Sequence, residues 1–283
     1  MDGALRIGEL ARRTGVSREL LRAWELRYGL LRPSRTAGGF RLYTTSDENR
    51  VHRMTQLIAG GLSAAEAARQ AAAVDDTEAA VPPSAVEDLA DRLRTALDRF
   101  DGPAAHGALD LLLASVSLDV VLADVVIPYL RDLGDRWAAG RASVALEHFA
   151  SHLLRGRLVA LARDWGAGDG PSVLLACLPG EAHDIGLVIF GLLVARRGWR
   201  VTFLGADTPL DTLEASVRTL RPTLTVLAAI EPGRFAAQAE AIRAIAALTK
   251  TAIAGIADEQ AITHLGARPL RGDIVEAAAS LTP

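Results

Sequence analysis

The sequence predicts a multidomain chain: an all-α winged helix-turn-helix, then a four-helix bundle, then an α/β domain with a Rossmann-like parallel sheet. Three observations carry this reading. Residues 1–70 hold twelve Arg against seven Asp plus Glu, a basic module on a chain whose net charge is −3. The following segment repeats apolar residues at helical spacing with short connections. From Ser172 onward, apolar runs of strand length alternate with helical patterns, which implies a parallel sheet covered on both faces. The expected boundaries are 1–74, 84–167 and 170–283.

With 283 residues, half of them hydrophobic, the chain can build two or three small cores. No apolar stretch reaches the length of a membrane span, and the start Met1-Asp2-Gly3-Ala4-Leu5-Arg6 lacks a signal-peptide core. Cys177 is the only cysteine and falls in a predicted buried strand, so an intrachain disulfide is excluded and the expected compartment is cytoplasmic, with no membrane partner. The overall charge argues against a general nucleic-acid binder. Its distribution argues for a local one: +5 on residues 1–70 leaves −8 on the rest. An Arg-rich genome is the competing explanation, since Lys250 is the sole lysine, and composition does not separate the two.

In the first module Ile7, Leu10 and Ala11 recur at helical spacing, Gly15 turns the chain, and Ser17 is placed to cap a second helix from about Arg18 to Tyr28. Leu20, Leu21, Trp24 and Tyr28 supply its packing face. This is a helix-turn-helix pattern, in which Arg18 and Arg22, one turn apart, share a face suited to a major groove. Gly38-Gly39 suits the turn of a hairpin wing, with Arg35 and Arg41 near phosphates. Thr45 with Glu48 fits a capping box that opens another helix.

Residues Ala71 to Ser84 show no clear apolar period and read as a linker. Helices are expected over Val86–Phe100, Ala104–Ala114, Leu118–Trp137 (bent near Pro128) and Ser143–Arg163. Trp137, Glu147 and His148 form a W-x9-E-H pattern whose members meet at one end of a helical hairpin. Spacing alone favours a core tryptophan and solvated Glu and His. His152 lies one turn beyond His148 and shares its face.

In the last module, strands are expected at Ser172–Leu178, Val201–Leu204, Leu224–Ile230 and Thr251–Ala254. Pro179-Gly180 breaks the first, and an E-x-H-x-x-G motif follows: Glu181, His183 and Gly186, the last opening an apolar helix. An imidazole is thus held beside a carboxylate at the carboxyl end of a strand, the edge where open α/β sheets bind ligands. A carboxylate on the far ring nitrogen fixes the tautomer of a metal-ligating histidine and raises its basicity. No G-x-G-x-x-G or Walker motif follows any strand, which disfavours dinucleotides and nucleoside triphosphates.

The segments I-G-E-L-A-R-R-T-G-V-S, L-R-A-W-E-L-R-Y-G-L and R-x-x-G-G-F-R-L-Y resemble the MerR family of transcription regulators over Ile7 to about Ala72. The resemblance implies double-stranded operator DNA as partner and Arg18, Arg22, Arg35, Arg41 and Tyr43 as DNA contacts. Trp24 is read as core. The E-x-H-x-x-G loop resembles that of cobalamin-binding domains of corrinoid proteins, which implies His183 as the lower cobalt ligand, with Glu181, Asp184 and Gly186 around it. The order of all three modules resembles the CarH/LitR light-sensing repressors. That resemblance implies adenosylcobalamin as cofactor and Trp137, Glu147 and His148 on its upper face. It places Asp207, Thr208 and Gly255 toward the corrin or its tail, and implies a homo-oligomer, a tetramer with cofactor. No enzymatic activity is expected.

Three positions depart from the family pattern. Ala138 follows Trp137 where the family commonly carries a histidine, so a light-formed bis-histidine state through that position is excluded. The third strand ends Leu227-Ala228-Ala229-Ile230, without the serine that holds the nucleotide tail. The later Gly-Gly pair reads Ala254-Gly255. The expected function is a cobalamin-dependent, light-responsive repressor. The alternatives are a regulator responding to a corrinoid or another ligand without photochemistry, and a corrinoid methyl carrier or mutase subunit, which has no use for a DNA module.

Overall fold

Gly15 and Gly29 adopt left-handed conformations (φ +68° and +63°) and end α1 (Ile7–Thr14) and α2 (Arg18–Tyr28). The computed structural model describes residues 5–35, 39–59, 62–76, 83–163, 165–255 and 259–282. Ser17 caps α2 by accepting from the Leu20 N–H at 3.2 Å, as expected. β1 (Ser34–Arg35) pairs antiparallel with β2 (Arg41–Leu42) to form the wing, whose tip, including Gly38, lies outside the described residues. α3 (Thr45–Ala59) and α4 (Ala64–Asp76) complete this part. Leu10, Leu21, Trp24, Tyr43, Val51 and Met54 form its core.

Two expectations here need correction. The capping box of α3 sits one residue earlier: Thr44 Oγ1 accepts from the Asp47 N–H at 3.3 Å, and Asp47 Oδ2 accepts from the Thr44 N–H at 2.9 Å. Glu48 instead receives Arg13 at 3.3 Å. The expected linker is partly helix, because α4 runs to Asp76. Ala67, Ala68 and Ala71 are buried, and these small side chains make a packing face too weakly hydrophobic to stand out as a period. Residues 77–82 of that linker lie outside the described residues.

The chain divides into two compact units, residues 1–87 and 88–283. α5 (Pro83–Asp98) leads into the second, followed by α6 (Gly102–Ser115), α7 (Leu118–Val120), α8 (Ile127–Ala138) and α9 (Val144–Ala160). Between α7 and α8 the helix widens into a π turn, Val121–Val126. Pro128 explains this, since it lacks an N–H and its ring clashes with a regular preceding turn. The π turn stands just before the position at which the sequence predicts a bend. Leu93, Leu97, Leu109, Leu112, Leu122, Leu133 and Leu154 are buried in the bundle.

The rest is β3 (Ser172–Cys177), α10 (Ile185–Arg196), β4 (Arg200–Gly205), α11 (Leu210–Leu220), β5 (Leu224–Ala228), α12 (Gly233–Ala237), α13 (Ala239–Leu248), β6 (Lys250–Ala254), α14 (Glu259–His264), β7 (Arg268–Pro269) and α15 (Ile274–Ala279). Among the described residues the sheet has the order β4-β3-β5-β6-β7, all parallel. The chain leaves β3 in opposite directions to reach β4 and β5, so the topological switch point lies between β3 and β5. β3 is buried after its first residue and pairs on both sides. α10 is buried along Leu187–Val194, as its apolar sequence requires.

Candidate functional site

The loop between β3 and α10 is at the carboxyl end of β3, beside the switch point. Glu181 is buried and His183 is largely exposed. Glu181 Oε1 lies 2.6 Å from His183 Nδ1 and also accepts from the His183 N–H at 2.9 Å. Its Oε2 accepts from the Ile230 N–H, just past β5, at 2.8 Å. Burial by itself would raise this carboxyl. The hydrogen bonds from the Ile230 and His183 backbones and from the His183 ring outweigh burial and hold its pKa below the ordinary value. Nδ1 is therefore fixed, and Nε2 is the ring nitrogen left to a ligand.

The remaining loop residues brace this pair. Asp207, itself at φ +46°, accepts from the Gly180 N–H at 2.6 Å and donates its own N–H to the Glu181 carbonyl at 2.9 Å. Thr208 is buried, its N–H directed to the Cys177 carbonyl and its hydroxyl to the Gly205 carbonyl. The polar groups of Asp207 and Thr208, the residues expected toward the corrin or its tail, hold the loop that presents His183. Gly255 (φ +129°) closes against β5, since a Cβ there would collide with the Ala229 carbonyl. Gly186 has no such constraint, because an added Cβ would meet Ile274 at an ordinary 3.7 Å.

Asp184 was expected beside the cofactor. Its carboxylate is buried and held by Arg155 of α9, at 2.7 Å to Oδ1 and 2.5 Å to Oδ2, so it ties the bundle to the loop. Arg196–Asp119 at 3.0 Å and Arg131–Asp273 at 3.9 Å also join bundle and sheet domain.

In the bundle, Gly140 (φ +69°) donates to the Trp137 carbonyl at 2.9 Å and ends α8. Ser143 then caps α9. Trp137 thus lies in the last turn of α8, and Glu147 and His148 in the first turns of α9. Trp137 is 53% exposed, which overturns the core reading that spacing favoured. Glu147 accepts from Ser151 at 2.8 Å and lies 3.5 Å from His148 Nε2. His152 packs edge-on to the largely exposed His148 ring, with centroids 6.2 Å apart.

Among the described residues no three His, Cys, Asp or Glu side chains converge as a metal-binding group, while His183 offers one oriented imidazole. His183 would hold the lower face of a corrinoid, with Glu181 behind it.

In the first unit, Arg18 and Arg22, expected as DNA contacts, are exposed along α2. Arg41 is 45% exposed and paired with Glu25 at 2.8 Å. The side chain of Arg35 lies outside the described residues. Tyr43 is corrected: it is fully buried and donates its hydroxyl to Glu25 at 2.8 Å, so it positions Glu25 and the wing from inside. Burial and the Glu25 carboxylate push its phenol well above the ordinary range.

Residues 5–73 match the MerR HTH family regulatory protein model, and residues 89–162 match a B12 binding domain. That second match lies on the helical segment, from within α5 to just past α9. The HTH-type transcriptional repressor CarA of Myxococcus xanthus is 36% identical over 86% of this chain and 83% of its own length. The repressor CarH of the same organism is 35% identical over 80% and 78%. This chain belongs to the CarA/CarH family of MerR-type transcriptional repressors.

A monomethylamine corrinoid protein from Methanosarcina barkeri shares the fold of 69% of this chain and 97% of its own, at a TM-score of 0.59 and 16% identity. The chain joins a segment that matches the MerR DNA-binding model to one that matches a B12 binding domain. Among the described residues no helix is long and apolar enough to cross a membrane. Two arginines around the His183 loop escape sequence reasoning. Arg155 follows His148 and His152 at helical spacing, a weak signal that was available. Arg234 of α12 donates to the Pro179 carbonyl at 3.3 Å, and no local pattern announces it.

Proposed function

We propose that this protein is an adenosylcobalamin-dependent, light-responsive transcription repressor and not an enzyme. The observation that carries the reading is the buried Glu181 carboxylate fixing His183 Nδ1 at 2.6 Å, with the ring exposed at the switch point. Adenosylcobalamin, when bound, supplies a photolabile cobalt–carbon bond. His183 Nε2 would be the lower ligand. Trp137, Glu147 and His148 would line the upper face, and the 53% exposure of Trp137 in a described unit with a packed bundle core supports that role.

The Arg155–Asp184 pair would register the bundle on the loop that presents His183. Ligand binding would then order bundle and sheet domain into a surface that self-associates, as a tetramer. Several DNA modules on one particle raise operator affinity through effective concentration, without any new base contact. Light would shift the population toward a form that no longer associates.

The second reading is a corrinoid-responsive regulator without photochemistry, and Ala138 is the observation that favours it. The test is operator binding and oligomeric state of the cofactor-loaded full chain in darkness and after green light. The proposal expects a DNA-binding oligomer in darkness and its loss on illumination. Unchanged operator binding would leave the second reading.

A further inference from the structure

Arg234 reaches the switch-point crevice from the β5 side and lies across the turn that precedes Glu181. Its Nη1 donates to the Pro179 carbonyl at 3.3 Å. The guanidinium passes so close over Gly180 that a Cβ at that position would collide with it. Nη2 stands 3.3 Å from the exposed Glu231, and Nε stands 4.0 Å from Glu181 Oε2. That second distance is too long for a hydrogen bond.

The Nε atom is buried and has no hydrogen-bond partner. Glu181 does not supply one, because its Oε2, which accepts from the Ile230 N–H, stands 4.0 Å away. A buried donor with no acceptor is unusual in a folded protein. Here it belongs to a cation that is still 32% exposed and sits at the ligand edge of the sheet. The guanidinium fork matches the geometry of phosphate oxygens.

We propose that Arg234 binds the phosphodiester of the nucleotide tail of cobalamin and so selects the complete cofactor over a tailless corrinoid. The inference rests on the cobalamin reading above. The phosphodiester is the anionic group of that tail, whereas the amide side chains around the corrin ring are neutral. The third strand ends Ala228-Ala229-Ile230, with no hydroxyl to hold the tail, and the Ile230 N–H is committed to Glu181. Arg234 supplies a donor at the place where those residues do not.

The experiment measures equilibrium binding of adenosylcobalamin and adenosylcobinamide, which lacks the phosphodiester and base, to the full chain in darkness. The wild-type protein is expected to prefer adenosylcobalamin. Arg234→Gln should weaken adenosylcobalamin about tenfold or more and leave adenosylcobinamide unchanged, since a hydrogen bond to a charged group is lost. Arg234→Lys should recover part of that loss. Equal weakening of both ligands would make Arg234 a brace for the Glu181 loop and overturn the inference, as would no weakening of either.

Should Arg234→Gln not fold, Glu231→Gln provides the second arm. It removes a competing carboxylate, so it should tighten adenosylcobalamin alone; unchanged or weaker binding overturns the inference. A wild-type chain that binds both ligands equally overturns it while the cobalamin reading stands. A wild-type chain that binds neither overturns both.

Discussion

Arg155 grips Asp184 with two guanidinium nitrogens, at 2.7 and 2.5 Å, across the seam between α9 and the residue that follows His183. The pair places a bundle residue one peptide unit from the candidate cobalt ligand. Any shift of α9 along the sheet domain must either break this pair or drag the loop. Burial makes the two partners unequal: the Arg155 side chain is 44% exposed and that of Asp184 only 3%.

Removing the exposed partner therefore costs more than a surface ion pair is worth, because a buried carboxylate is left uncompensated. Arg155→Ala should destabilise the chain by about 1–3 kcal/mol in urea unfolding. Asp184→Asn added to Arg155→Ala should return part of that loss, since the buried charge is gone. Additive losses in the double variant would show that the two residues do not act as a pair.

Glu181 fixes the imidazole, so its replacement should act on cofactor binding through His183. Glu181→Gln is expected to lower adenosylcobalamin affinity by about 10–100-fold, the usual effect of losing a carboxylate behind a metal-bound histidine. Spectral titration in darkness measures it. An affinity equal to that of the unaltered chain would remove Glu181 from the site.

Gly186 separates a ligand role from a packing role. It lies in the first turn of α10 without a positive φ, and an added Cβ would meet only Ile274, at ordinary van der Waals contact. Gly186→Ala should hold or raise stability by up to about 1 kcal/mol, from helix propensity alone. The same variant should bind adenosylcobalamin more weakly, because the methyl group enters the surface on which the motif receives its ligand. Full affinity with unchanged stability would show that nothing approaches Gly186.

Cys177 ends β3 beneath the loop, fully buried, and burial pushes its thiol up to about 12, with the Asp184 and Glu181 carboxylates adding to the effect. The folded pKa lies above the ordinary 9.0, so this contribution to stability is complete below pH 9 and declines as pH rises from 9 toward 12. The native chain should resist thiol reagents at pH 8 and react only on denaturation. Rapid native labelling would mean that the β3 end opens.

On the DNA side, Arg22 and Tyr43 give opposite expectations. Arg22→Ala removes an exposed cation from the helix face proposed to meet DNA, and should lower operator affinity by about 1–3 kcal/mol if it reads a base edge, or reduce the salt slope by about one if it meets a phosphate. Tyr43→Phe keeps the buried ring and loses only the bond to Glu25. It should cost about 1 kcal/mol of stability and leave the salt dependence of DNA binding intact. Fluorescence anisotropy across a salt series distinguishes the two.

What was readable in the sequence was local. Ser17, Gly15 and the strand Ser172–Cys177 announce themselves within a few residues, and Glu181, His183 and Gly186 lie within six positions of one another. The α3 cap was misread by one residue because Thr44-x-x-Asp47 and Thr45-x-x-Glu48 satisfy the same pattern. Long-range chemistry left no mark of that kind. Arg155 meets Asp184 across 29 residues, and the Ile230 N–H meets Glu181 across 49. β7 is two residues long and contains a proline, so it carries no strand signal of its own. Tyr43 was expected on the DNA only because the MerR resemblance implies it, and no local pattern marks Glu25, 18 residues away, as the acceptor of its buried hydroxyl.

The absorption spectrum of the adenosylcobalamin-loaded chain in darkness, set beside that of His183→Ala, tests the central assignment most directly. A nitrogen donated by His183 predicts that the variant either loses the bound chromophore or shows the spectrum of a corrinoid without that lower ligand. A variant that retains the cofactor with an unaltered spectrum would contradict it, and the cobalt would have to find its lower partner elsewhere.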